Sequence, residues 1–225
     1  MKINIKNFYC IEALIESNPE IIEFINIPNP KDKKISELAV NAKQSGIKIL
    51  NKSKDFYAAC KEPAVRDIKS ANYEIGKSVL IFDEVQDTRN LGSCLRTASF
   101  FGINSVIIPK NNSADFNNTA VIETSTGGVY DLDLYKVANI SQTINKLKEN
   151  NYWVTGFSEH AKKDINTLMP SEKNVFVFGN EQKGIKQLVL KNCDEVLKIK
   201  QIGQTSSLNI SIAAAIATYT LTNKI

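Results

Sequence analysis

No run of apolar residues in this sequence reaches the roughly 20 needed to cross a bilayer, and the first 17 residues break their apolar stretches with Lys2, Lys6, Glu12 and Glu16. Neither a membrane span nor a secretion signal is expected. Cysteine is sparse: Cys10, Cys60, Cys94 and Cys193 stand far apart with no C-x-x-C pair, which argues against both a zinc site and a disulfide framework. Reduced thiols in a cytoplasmic protein, with no metal, are the expectation. Also missing are the glycine-rich phosphate loops G-x-G-x-x-G and G-x-x-x-x-G-K-[ST], so a nucleotide-dependent dehydrogenase or a P-loop NTPase is disfavoured. Charge of one sign is not in large excess either: a net +4 over 225 residues does not by itself announce a nucleic-acid partner.

What is present has the texture of an ordinary folded chain, 43% hydrophobic and 23% charged, long enough for one large α/β domain or two small ones. Its positive charge is unevenly spread. Lys31, Lys33, Lys34, Lys43, Lys48, Lys52 and Lys54 face only Asp32 and Glu37 in the same stretch. Such a cluster either meets phosphates or is a solvated surface, and both readings stay open on charge alone.

Apolar spacing predicts a helix near residues 10–16 and a strand near 21–27, with Pro28 and Pro30 in the turn after it. A helix over 36–44 follows, with Ser36 as candidate N-cap and Gly46 as its stop, then a short strand over 47–50. The polar stretch 71–77 is the candidate boundary, giving domains 1–75 and 76–225. Beyond it the pattern changes to short apolar runs alternating with amphipathic segments. Strands are expected at 79–83, 105–109, 152–156, 175–179 and 195–199, as in a parallel sheet covered by helices on both faces. In such sheets ligands sit beyond the carboxyl ends of the strands, so the loops after Asp83, Gly156, Gly179 and Ile199 are where chemistry is expected.

Three constellations fall at those strand ends. In RNLGSCLRTASFFG, Asn90 is placed to cap a helix carrying Arg96, with Gly92 permitting close backbone approach; the plainer reading is a capped helix with an exposed arginine. Gly179, Asn180, Glu181 and Gly184 follow the apolar strand VFVF, so the backbone can approach a ligand while Glu181 offers a charged acceptor, though turns use Gly and Asn for conformational reasons alone. Between Gly203 and Ser211, the polar side chains of Ser206, Ser207 and Asn209 open an alanine-rich helix, as pocket groups or simply as caps.

In this order, Asn-x-Gly-x-x-x-Arg-x-Ala-x-x-Phe-Gly, Gly-Asn-Glu-x-x-Gly and Gly-x-x-x-Ser-Leu-Asn-x-Ser resemble the three-motif signature of the SpoU class of the SPOUT superfamily of RNA ribose 2′-O-methyltransferases, over about residues 79–219. The segment VIIPKNNSADFNNTAVIETSTGG is similar to that between the first two motifs in bacterial 23S rRNA (guanosine-2′-O)-methyltransferases. Residues 1–75 resemble, more loosely, their ribosomal-protein-L30e-like substrate-binding domain. The resemblance implies an α/β fold with a deep trefoil knot, S-adenosyl-L-methionine as cofactor, a structured RNA as partner and a homodimer with the alanine-rich last helix at its interface. It carries cofactor contacts over to Gly156, Gly179, Ile199 and Leu208. Substrate-side and catalytic roles fall to Asn90, Arg96, Glu181, Ser207 and Asn209. One departure stands out: where the family has Ile-Pro-Met, this chain reads Ile199, Lys200, Gln201, losing a proline that pre-shapes a loop.

Methyl transfer to a ribose hydroxyl needs an in-line approach and removal of a proton from a very weak acid. The resemblance assigns that proton to Arg96, although a guanidinium is ordinarily a donor only. A base, or a clamp on the neighbouring phosphate, are the two roles open to it. The rival readings are a tRNA 2′-O-methyltransferase and a catalytically silent RNA-binding homologue.

Overall fold

The computed structural model describes residues 2–28, 32–205 and 207–224, so Pro30, Lys31 and Ser206 lie outside the described residues. The chain runs β1 (Lys2–Ile5), α1 (Phe8–Ser17), β2 (Ile22–Asn26), α2 (Lys33–Gln44), β3 (Lys48–Leu50) and β4 (Tyr57–Lys61). It continues through β5 (Val65–Arg66), β6 (Ser78–Phe82), α3 (Thr88–Phe100), β7 (Ser105–Pro109), α4 (Thr119–Thr124), β8 (Asp133–Val137) and α5 (Ile140–Glu149). The last third is β9 (Trp153–Phe157), β10 (Lys163–Asp164), β11 (Asn174–Phe178), α6 (Gln187–Asn192), β12 (Glu195–Lys198) and α7 (Ile210–Thr222).

The described residues form two sheets. β1 to β4 make a small mixed sheet in the order β1-β4-β2-β3, antiparallel except for the β2–β3 pair. The larger sheet has eight strands in the order β10-β12-β9-β11-β6-β7-β8-β5, every pairing parallel. β5 belongs to this second sheet, pairing Val65 with Leu134 and Arg66 with Tyr135, so residues ahead of the polar stretch 71–77 already contribute to it.

Alternation divides the large sheet's apolar residues between two cores. Leu80, Phe82, Phe176 and Phe178 face one side with α3, α4 and α7, whereas Val79, Ile81, Val175 and Val177 face the other with α5 and α6. Strands buried on both faces read as unbroken apolar runs, which is why SVLIF, SVIIP and NVFVF were legible. The small sheet shares the first core. Through Cys10, Ile11 and Leu14, α1 packs between Ile5, Ile25 and Cys60 of the small sheet and the α4 region. Glu123 accepts the backbone N–H groups of Lys6 and Asn7 at 2.7 and 3.0 Å.

Two helix starts differ from the sequence expectation. α2 begins at Lys33 because Asp32, not Ser36, caps it, its carboxylate accepting the Lys34 N–H at 2.8 Å. Likewise α3 begins at Thr88, capped by Asp87, which accepts the N–H groups of Arg89 and Asn90 at 2.8 Å each. A carboxylate two or three residues upstream reaches the free amides first, and this carries Asn90 from the cap into the helix. Gly92 does permit a close approach: a Cβ there would lie 2.6 Å from Thr124 Cβ and 2.8 Å from the Val121 carbonyl oxygen, so α3 and α4 touch at this glycine.

Candidate active site

A cavity of about 850 Å³ opens beyond the carboxyl ends of β9, β11 and β12, lined by residues 157–160, 178–185, 199–203, 205 and 207–210 together with Asn90 from α3. This is the crevice expected of a parallel sheet. Phe157 and Phe178 form part of its floor, stacked with ring centroids 5.0 Å apart and planes 8° from parallel, beside Ile185, Leu190 and Leu197. Around this apolar base stand polar groups, among them Glu181, Ser207 and Asn209.

Three motif residues meet there. Asn90 donates through Nδ2 to Glu181 Oε1 at 3.1 Å and accepts at Oδ1 from Asn209 Nδ2 at 2.9 Å. Asn209 in turn caps α7, its Oδ1 accepting the Ser211 N–H and hydroxyl at 2.8 and 2.7 Å. The line Glu181–Asn90–Asn209 therefore ties a strand-end loop, a helix face and a helix start into one polar edge. Each amide is used as donor and acceptor, which fixes its orientation.

The loop carrying Glu181 is braced by the glycines and asparagine of its own motif and by carboxylates outside it. Asn180 and Gly184 exchange two backbone hydrogen bonds, 3.1 and 2.8 Å, and Gly179 packs directly beneath: a Cβ there would sit 2.0 Å from the Gly184 carbonyl carbon and 2.1 Å from the Ile185 nitrogen. No side chain fits at Gly179 without rebuilding the loop. Glu84, in the left-handed region at φ 62°, ties the same loop to the start of α6 and to the segment after β7. Its carboxylate binds Lys186 Nζ at 2.7 Å and Asn112 Nδ2 at 3.0 Å, and its carbonyl oxygen accepts from Asn180 Nδ2 at 2.9 Å. A non-glycine residue with positive φ persists where its surroundings over-determine it, as these partners do. Asp83, 2% exposed, accepts the Lys186 N–H at 3.2 Å. Burial pushes its carboxyl up, partly offset by that N–H, while hydrogen bonds from Lys186 and Asn112 hold the Glu84 carboxyl below the usual range. Two carboxylates at a strand end were a readable signal; their partners about a hundred residues on were not.

The remaining sequence-predicted residues divide. Gly179, Ile199, Ser207 and Leu208 line the cavity with Asn90, Glu181 and Asn209. Gly156 does not. It lies within β9 behind the cavity wall, where a Cβ would meet Cys193 Sγ at 3.1 Å and Leu190 Cδ2 at 3.5 Å. Arg96 is also outside the lining: it is exposed on α3 and makes no ion pair among the described residues. Six residues of helix turn the chain through about 600°, which carries Arg96 away from the face that presents Asn90. On the loop where proline and methionine are replaced, the Gln201 side-chain amide donates to the Gly203 and Thr205 carbonyls at 2.9 and 2.8 Å. A side-chain clamp thus shapes the turn that a proline ring would otherwise shape.

The comparisons with known proteins agree with this arrangement. The model of the SpoU rRNA Methylase family matches residues 77–219. An "Uncharacterized tRNA/rRNA methyltransferase" of Archaeoglobus fulgidus is 33% identical over 223 residues, covering 95% of each chain. The fold is similar to that of the SpoU methyltransferase AviRb from Streptomyces viridochromogenes, solved with AdoMet, at a TM-score of 0.77 and 18% identity over 99% of this chain and 90% of that one. It is similar also to an AdoMet-bound rRNA methyltransferase from Sinorhizobium meliloti, at a TM-score of 0.73 and 18% identity over 99% and 87%.

Proposed function

The chain belongs to the SpoU rRNA methylase family, and we propose that within it the protein methylates a guanosine ribose of 23S rRNA. The activity is S-adenosylmethionine-dependent methylation of a ribose 2′-hydroxyl in tRNA or rRNA. The observation that carries the assignment of the site is the Glu181–Asn90–Asn209 line, in which residues from three separate motifs converge on one edge of the cavity.

The residues present fit the cofactor. A cavity of about 850 Å³ lies in the range of small-molecule sites, its stacked phenylalanines and Leu197 offer an apolar bed, and the polar edge stands opposite bulk water. Gly179, Ile199 and Leu208 would hold it, Leu208 standing half exposed at the cavity. When bound, the cofactor supplies an electrophilic methyl group on a sulfonium. Asn90 and Asn209 orient the ribose at the cavity edge, Glu181 accepts hydrogen bonds there, and Ser207 adds a hydroxyl. A trefoil knot, with the chain beyond β12 passed through the segment around Gly179, is part of this reading.

Arg96 acts from a neighbouring protomer in this reading. It shares a helix face with Phe100, four residues on, and Phe100 is 81% exposed. Ile212 and Tyr219 of α7 are 50% and 58% exposed, and Tyr219 contacts Phe101 at 6.1 Å between ring centroids. That apolar surface is suited to a homodimer that brings each Arg96 toward the partner's cavity. Sedimentation should show a dimer, and mixing inactive Asn90→Ala and Arg96→Ala chains should restore part of the activity. Proton removal by Arg96 is tested by single-turnover methylation across pH. Arg96→Lys with an unchanged profile and weakened RNA binding assigns the residue to a phosphate clamp.

The lysines of residues 33–54 and the small sheet support an rRNA substrate, because structured RNA is recognised by shape, phosphates and unstacked bases. Location in the cytoplasm, with the four cysteines free, accords with that partner. Mapping 2′-O-methylation on total RNA from cells with and without the gene should show one guanosine of 23S rRNA losing its mark. Loss of a tRNA mark alone would replace this substrate.

A further inference from the structure

One face of the small sheet carries the core and the other is only partly covered: Asn26 and Ala59 are buried there, whereas Phe24, Leu50 and Tyr57 are partly exposed and Lys48 is exposed. Ile3, Ile5, Ile25, Ala58 and Cys60 point into the core shared with α1 and α2, so the alternate positions of the same strands stand on the other face. Register places Phe24 beside Ala59 and Lys48, and Asn26 beside Tyr57 and Leu50. The resulting surface carries a shallow depression of about 600 Å³ lined by Phe24, Leu50, Lys48, Lys52 and Lys61, with Glu20 and Glu23 at one side.

Two features of this face point to one kind of ligand. Phe24 and Tyr57 meet edge to face, centroids 6.0 Å apart at 69°, and the Lys52 ammonium stands 5.8 Å over the Phe24 ring. The partly exposed Phe24 ring, braced by the edge of Tyr57, offers one flat face to a planar partner, with the flexible Lys52 side chain above it. The cations are also unspent. Lys2 pairs with Glu23, whereas the ammonium groups of Lys48, Lys52 and Lys61 have no carboxylate partner among the described residues. Three free cations around an aromatic platform complement a base flanked by phosphates, the combination by which open sheets bind single-stranded nucleic acid.

We propose that the open face of the small sheet binds an unpaired nucleotide of the substrate RNA, its base stacked on Phe24 beside Tyr57 and its flanking phosphates held by Lys48, Lys52 and Lys61. The inference rests on the RNA methyltransferase reading above and adds a second contact, separate from the cavity. It selects RNA in which an unpaired base lies at a fixed distance from the methylated ribose.

The test uses the full-length protein and a fluorescein-labelled, mixed-sequence single-stranded RNA decamer, read by anisotropy, with S-adenosylmethionine binding by calorimetry as the check that each variant is folded. Phe24→Ala should weaken decamer binding about tenfold. The double variant Lys48→Gln/Lys52→Gln should bind less tightly and show a salt slope shallower by about one. Unlabelled single strand should compete, and a fully paired duplex of equal length should not. A decamer containing 4-thiouridine should crosslink to the peptide containing Phe24 or Tyr57. Crosslinks elsewhere only, or wild-type affinity in both variants while methyl transfer to total RNA persists, would overturn the inference and leave the enzymatic reading standing. A wild-type protein that neither binds RNA nor methylates it would overturn both.

Discussion

The two sheets of this protein carry opposite burdens. The parallel sheet is sealed on both faces, with Val175, Phe176, Val177 and Phe178 all at or below 2% exposure, and its function is confined to the strand ends. The mixed sheet has one sealed face and one partly open one: β1 alternates strictly between exposed and buried, whereas β2 and β4 keep Asn26 and Ala59 buried on the open side. Burial on two sides makes a rigid frame that can hold a cofactor pocket at its rim. Leaving one side partly open frees a surface for a large partner. Parallel strands joined by helices enforce the first arrangement, and antiparallel pairing permits the second.

The sharpest way to break this contrast is to remove one phenylalanine from each sheet. Phe176→Ala should destabilise the fold by about 3–5 kcal/mol in urea titrations, and Phe24→Ala by about 1 kcal/mol or less. Equal costs would mean that the small sheet's outer face is packed rather than partly open. At the rim of the large sheet, Gly179→Ala forces a Cβ into the Gly184 and Ile185 backbone, and cofactor affinity by calorimetry should fall about a hundredfold or more, while binding of the single-stranded decamer is kept. Loss of both together would tie the two surfaces more closely than the comparison allows.

Smaller effects probe how the rim is braced. Gln201→Ala removes two side-chain hydrogen bonds from the cofactor loop, and at about 1 kcal/mol net for each the affinity for S-adenosylmethionine should drop roughly thirtyfold. Gln201→Pro, restoring the family's residue type one position late, should not recover it. Under the same rim, Asp83 and Glu84 titrate in opposite senses. The Asp83 carboxyl is raised by burial, so its contribution to stability is present at low pH and is lost as pH rises through its folded value. Glu84, held low by Lys186 and Asn112, contributes above the ordinary carboxylate range and loses that contribution as pH falls. Asp83→Asn should therefore melt progressively higher relative to the wild type as pH rises from about 4 to 7. A constant difference across that range would show that the buried carboxyl is not the titrating group.

Much of the frame was readable because burial on two sides leaves no ambiguity in the pattern. The central strands at 79–83, 105–109 and 175–179 needed only shifts of a residue or none. β8 was not anticipated, since DLYKV mixes charge with short apolar content and its burial comes from neighbours on both edges. β1 and β4 escaped for a related reason: KINI and YAACK are short, mix polar or small residues with apolar ones, and each carries a lysine at one end. The site followed the same division. Asn90, Glu181 and Asn209 stood in recognisable motifs, and the structure brings them within hydrogen-bond reach. The partners of Glu84 and Lys186 were not readable, because only the folded chain places them side by side, and the Gln201 clamp, though local, depends on a turn that spacing does not specify.

Sequence alone determined the class of fold, the order of the three motifs and the family, because apolar periodicity and motif spacing are properties of the chain read in one dimension. Tertiary structure decided the rest: that Asp87 and not Asn90 caps α3, that Arg96 lies outside the cavity lining, and that one face of the small sheet is partly open. These are facts about which groups compete for the same amide, which way a helix turns and what packs on what. They depend on distances across the fold, and no spacing along the chain encodes them directly.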